Sequence, residues 1–145
     1  MSETITLAPA GQHSPDYREV AQAFAECVRV LNYAIAPWTG WPGLIYPADV
    51  YDVIGAIKAG AYALQQAFGQ MRGFLQDRLA AGRLRLDSGG DPAAAVGAAR
   101  AHLAEAAAIA AHLYHRLERA HQAMGHVAGA PSAHHGDEAG GLIGG

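Results

Sequence analysis

Apolar residues recur along this chain at steps of three and four in three blocks, each the signature of one helix face. In the first block Val20, Phe24, Cys27 or Val28, Leu31 and Ile35 line one side. Ser14-Pro15-Asp16 supplies the start. Serine can cap a free backbone N–H, proline is tolerated at the first helical position, and the acid complements the N-terminal dipole. Pro37 ends this helix. The second block, Val50, Ile54, Ile57, Ala61, Leu64, Phe68, Met71 and Leu75, keeps an unbroken a/d heptad from Pro47-Ala48-Asp49 to about Ala81, where Gly82 provides a stop. The third opens at Asp91-Pro92 and runs through Val96, Ala99, Leu103, Ala106, Ala110, Leu113, Leu117, Ala120, Met124 and Val127.

The two long helices are each roughly 33 to 36 residues, or about 50 Å at 1.5 Å per residue. Matched lengths and a short connector predict an antiparallel hairpin. In that connector Arg83-Leu84-Arg85-Leu86 alternates, which admits a short extended segment, and Asp87-Ser88-Gly89-Gly90 turns. The fold expected is therefore all-α: a hairpin of two long helices with a shorter N-terminal helix packed along it, a three-helix bundle. Residues 14–127 form the helical domain. Residues 1–13 read as a flexible arm and 128–145 as a flexible glycine-rich tail, so both termini are expected to be disordered.

The second helix departs from a normal solvated face. Its outward b, c and f positions include Ala56, Ala59, Tyr62, Ala63, Gln66, Gly69, Gln70 and Gly73, with almost no charge. Water-facing helix surfaces are usually charged. A second cover is implied, either the first helix or a second protomer. Gly55, Gly60, Gly69 and Gly73 each cost up to about 1 kcal/mol against alanine within a helix, which suggests close helix contact at those points. Between the first two helices, residues 36–47 read APWTGWPGLIYP. The prolines and glycines forbid regular structure, while Trp38, Trp41, Leu44, Ile45 and Tyr46 demand burial. This loop is either a plug over one end of the bundle or a binding surface. The residues expected to meet a partner are Trp38, Trp41, Tyr46, Tyr62, Gln66 and Gln70.

Composition narrows the classes. A length of 145 residues suits one domain, and 51% hydrophobic residues with 16% charged argue against a disordered chain. A net charge of -3 removes the attraction that sequence-independent nucleic-acid binding needs. No stretch approaches the roughly 20 apolar residues of a membrane span. The acid at Glu3, with no apolar run behind it, is unlike a secretory leader, so the expected location is cytoplasmic. The single cysteine, Cys27, allows no internal disulfide and reads as a buried, inert thiol on an apolar face.

Candidate chemistry is sparse. Of eight histidines, five fall on the third helix at His102, His112, His115, His121 and His126. His112, His115, Arg119, Gln122 and His126 share one stripe, and His112 with His115 is an i, i+3 pair capable of joint ligation. That stripe lies at water-facing c and f positions, and a structural metal needs about four converging ligands. Glu118-Arg119-Ala120-His121 matches the Glu-x-x-His element of di-iron bundles, which use it twice. It occurs once here, at b and e. Serines occur only at Ser2, Ser14, Ser88 and Ser132, and no nucleophilic triad can be assembled. No catalytic residue, metal or cofactor is expected.

Trp38-Thr39-Gly40 between helices resembles the Trp-x-Gly turn of the WXG100 proteins, and Tyr114-His115-Arg116-Leu117-Glu118 resembles their Tyr-x-x-x-Asp/Glu export element. That resemblance implies a small helical hairpin exported by type VII secretion. Pro47-Ala48-Asp49-Val50-Tyr51-Asp52-Val53-Ile54-Gly55, followed by Gly82-Arg83-Leu84-Arg85 and Asp91-Pro92-Ala93, is similar to uncharacterised Ala-rich helical proteins of actinobacteria, some carried on mobile elements. It implies a helical hairpin over about residues 44–127 and no particular chemistry. The function expected from the residues is non-catalytic: a helical interaction or scaffold module, forming a homo-oligomer or docking a helical protein partner, with no nucleic acid and no membrane. The alternatives are a WXG100-like secretion substrate and a histidine-based metal-binding protein.

Overall fold

A computed structural model describes residues 16–40 and 43–130 of the chain. The proposed arm, Ser14, Pro15, Trp41 and the tail beyond residue 130 lie outside the described residues. Those described are all-helical, with three α-helices and no strand: α1 (Tyr17–Ala34), α2 (Pro47–Ala80) and α3 (Ala93–Met124). A single 3-10 turn, Pro37–Thr39, follows α1. The alternating residues 83–86 take no regular structure.

The helix ends follow local chemistry. At α1 the cap is Asp16, two residues after the Ser14 expected from the sequence, and its Oδ1 accepts from the Arg18 N–H at 2.9 Å. At α2 the Tyr46 N–H donates to Asp49 Oδ2 at 2.7 Å while the Asp49 N–H donates to the Tyr46 carbonyl at 3.0 Å. Pro47 opens the first turn without losing a needed donor. Asp91 Oδ1 accepts from the Ala93 N–H at 2.9 Å and starts α3. Gly82, at φ +64°, ends α2 in the left-handed conformation that glycine takes without strain.

The chain divides into two compact units. In the first, α1 is strongly amphipathic, yet Val20, Phe24 and Val28 on its apolar side are exposed and no residue of the helix is fully buried; Cys27, expected to be buried on that face, is exposed with them. The backbone after the 3-10 turn returns to the end of α1, where the Gly43 N–H donates to the Ala34 carbonyl at 2.9 Å. A Cβ on Gly43 would stand 3.1 Å from that oxygen, a tight contact that favours glycine at the return.

In the second unit α2 and α3 run antiparallel. Tyr51 meets His121, Lys58 meets Glu118, Tyr62 meets Tyr114, and Met71 with Leu75 shares a hollow with Leu103. The small residues of the heptads sit deepest: Ala61 is 2% exposed and Ala110 5%. Leu64, Phe68, Leu75, Leu103 and Leu117 are half-buried around them. Ile57, Met71, Ala99 and Leu113, read from the sequence as seam residues, are exposed instead. One partner helix covers only a stripe, and these side chains sit at its margin.

The glycines of α2 also depart from expectation. Only Gly55 faces another helix, where a Cβ would come 3.1 Å from His121 Nε2. At Gly60, Gly69 and Gly73 nothing lies within 4 Å of such an atom, because these positions point away from α3.

Candidate interaction surfaces

Helical phase gives the α2–α3 hairpin two unlike edges. Residues 57, 60, 64, 67, 71 and 74 of α2 lie to one side of the seam, and residues 51, 55, 58 and 62 to the other. The first edge is apolar. It holds a hollow of about 410 Å³ lined by Gln70, Met71, Phe74, Leu75 and Leu103. Met71 is 46% exposed there and Phe74 56%.

The second edge is polar and ordered. Lys58 Nζ stands 2.6 Å from Glu118 Oε2 and 3.4 Å from His121 Nδ1. Glu118 Oε1 also accepts from Gln122 Nε2 at 3.0 Å. Hydrogen bonding to Lys58 holds the Glu118 carboxyl below its usual range, helped by Gln122 and by the lysine charge, against partial desolvation. The same contact raises the Lys58 ammonium. Glu118 and His121 are thus half-buried and engaged across the seam, where the sequence placed them on the outside at b and e. Those positions flank the heptad core, and α2 answers them with its one lysine. Farther along, Arg72 Nε and Arg100 Nε are shielded from solvent without a hydrogen-bond partner. Arg72 repeats the heptad position of Lys58, and Arg100 that of Tyr114.

Of the residues expected to meet a partner, Trp38 is 78% exposed within the 3-10 turn and Tyr46 is exposed at the start of α2. Tyr62 is exposed and leans on Tyr114, with ring centroids 5.6 Å apart and tilted by 57°. Gln66 is exposed, and Gln70 is exposed at the rim of the apolar hollow. Trp41 lies outside the described residues. The structure brings Gln70 alone of this set to the hollow. Phe74, its most exposed apolar member, escaped the sequence reading because it belongs to no heptad series; its signal was a large aromatic at a position the a/d pattern leaves to polar residues.

His102, His112, His115 and His126 are exposed. Among the described residues no group of three or more His, Cys, Asp or Glu is arranged to hold a metal ion. No described helix is long and apolar enough to cross a membrane. Comparison with protein families, curated proteins and solved structures gives no match for this chain.

Proposed function

We propose that the chain is a non-catalytic helical interaction module, acting in the cytoplasm, that self-associates or docks a partner helix along the apolar edge of α2 and α3. The observation that carries this reading is the hollow at Met71, Phe74, Leu75 and Leu103, left open with two large apolar side chains exposed in it. Burial of apolar surface is worth about 25 cal/mol per Å², so an added helix on this edge gains free energy that the hairpin alone forgoes. An amphipathic helix is the matching shape for such a groove. The apolar side of α1 offers that pattern, and laying the α1 of a second copy along the hairpin completes a three-helix bundle.

Light scattering at micromolar concentration tests the reading. A dimer or larger species is expected. A strictly monomeric mass means that the chain covers its own edge, and the interface proposal then falls.

A second reading, a WXG100-like secretion substrate, draws on Trp38-Thr39-Gly40, which lies at the 3-10 turn between α1 and α2 with Gly40 at φ +76°. In that reading the protein accumulates outside the cell in a secretion-dependent way. Retention in cells with an intact type VII system removes it.

A further inference from the structure

The outward side of α3 carries a second kind of surface, independent of the apolar edge. His112, His115, Arg116 and Arg119 occupy successive turns and line a shallow hollow of about 220 Å³. No carboxylate joins them. The nearest acid in sequence, Glu118, turns into the α2–α3 edge, where Lys58 and Gln122 engage it. Glu105 lies two turns and more toward the start of α3, beside His102 at 3.5 Å. Neither the Arg116 nor the Arg119 side chain has an ion pair or hydrogen bond among the described residues.

We propose that this hollow binds a phosphate group, either inorganic phosphate or the phosphomonoester of a small soluble molecule. The two guanidiniums carry permanent charge, and together they balance the roughly -1.5 to -2 of a phosphomonoester at neutral pH. Their planar forks can each donate two N–H groups to neighbouring oxygens. The imidazoles add donors one and four residues before Arg116, spreading the set along the helix. A tetrahedral group with three terminal oxygens answers such donors, whereas a planar carboxylate leaves some unused. Space agrees: the hollow is several times the roughly 30 Å³ share of one water, enough for a phosphate with bound water. Arg119 stands more than one turn before the end of α3 at Met124, clear of the last turn where the negative end of the helix would oppose an anion. A lipid headgroup presents the same chemistry, but membrane-surface recognition draws on clusters of about 4 to 8 Lys or Arg. This patch has two arginines.

The test titrates the full chain with inorganic phosphate and with phosphoserine at constant ionic strength, following arginine Nε–H and histidine ring signals by NMR. Saturable shifts confined to His112, His115, Arg116 and Arg119 are expected at millimolar ligand. The double substitution Arg116→Gln, Arg119→Gln should weaken binding about tenfold or more, while Arg83→Gln leaves it unchanged. Circular dichroism confirms that the variant folds, glutamine being close to arginine in helix propensity. Three results overturn the proposal: no saturable shift, equal shifts with acetate, or undiminished binding by the double variant. Binding to vesicles of phosphatidic acid in phosphatidylcholine without response to either soluble phosphate also overturns it, in favour of a membrane surface.

Discussion

Tyr51 and His121 stack face to face across the α2–α3 seam, with ring centroids 3.8 Å apart and planes 19° from parallel. Gly55, one turn beyond Tyr51, gives the imidazole its room, and Lys58 approaches its other nitrogen. A bare backbone, an aromatic face and an ammonium therefore fix one side chain of α3 against three consecutive levels of α2. Nonpolar packing sets how closely the helices approach; this contact sets their register.

That arrangement reverses the usual effect of replacing a helical glycine. Gly60→Ala and Gly69→Ala are expected to stabilise the protein by about 0.5 to 1 kcal/mol each. Gly55→Ala should gain nothing or lose stability, because its methyl would displace His121 from Tyr51. Denaturant midpoints of the three variants decide the matter. Equal gains at all three would show that His121 is not held over Gly55.

The deepest positions are small, so enlargement should hurt more than its chemistry suggests. Ala61→Leu and Ala110→Leu are each expected to cost about 1 to 3 kcal/mol by overpacking. Leu64→Ala and Phe68→Ala, at half-buried sites, should fall near the low end for such truncations, about 2 to 3 kcal/mol. Gln66→Ala should be nearly silent. Midpoints that moved equally for Leu64→Ala, Phe68→Ala and Gln66→Ala would place the seam elsewhere.

The Lys58–Glu118 pair gives stability a predictable pH window. A carboxyl lowered by folding contributes above the ordinary glutamate range and loses that contribution as pH falls through its folded value. An ammonium raised by folding contributes below the ordinary lysine range and loses it as pH rises through its folded value. Melting temperature should therefore hold between about pH 5 and pH 10 and fall on either side. Glu118→Gln should flatten both limbs, leaving in acid the part owed to Glu26, which a hydrogen bond from Arg29 also lowers. An unchanged profile in that variant would show that the pair is broken in solution.

Replacing Met71 and Phe74 together by serine should abolish self-association at micromolar concentration while keeping the helical signal, since both side chains are already largely exposed. Light scattering and circular dichroism on the same sample report the two outcomes. Loss of helix with loss of mass would mean that these residues serve the hairpin itself. An undiminished mass would move the interface off the apolar edge.

Much of the helical framework can be read from local sequence, because caps and periodicity act over a few residues. Pro47 and Asp91 open α2 and α3 as their chemistry dictates, and the alternation of threes and fours leads to Ala61, Val96 and Ala110 at the deepest points. The surfaces are less legible. Lys58 and Glu118 are sixty residues apart, and nothing in the pattern around either names the other. A heptad also marks which residues turn toward a seam without saying how many helices enclose it, so Ile57, Met71 and Leu113 look like core and prove to be rim. The stripe of His112, His115 and Arg119 is legible in the sequence, but Arg116, one position off that stripe, joins them only in the structure.

The chain has a single lysine, Lys58, and its ammonium is tucked against Glu118 with the side chain 20% exposed. Any chemistry directed at lysine, whether acylation in a test tube or enzymatic modification in a cell, thus finds one side chain, and finds it protonated and held. Amine reactivity at this position thus follows the Lys58–Glu118 contact, and is expected to rise when that contact opens.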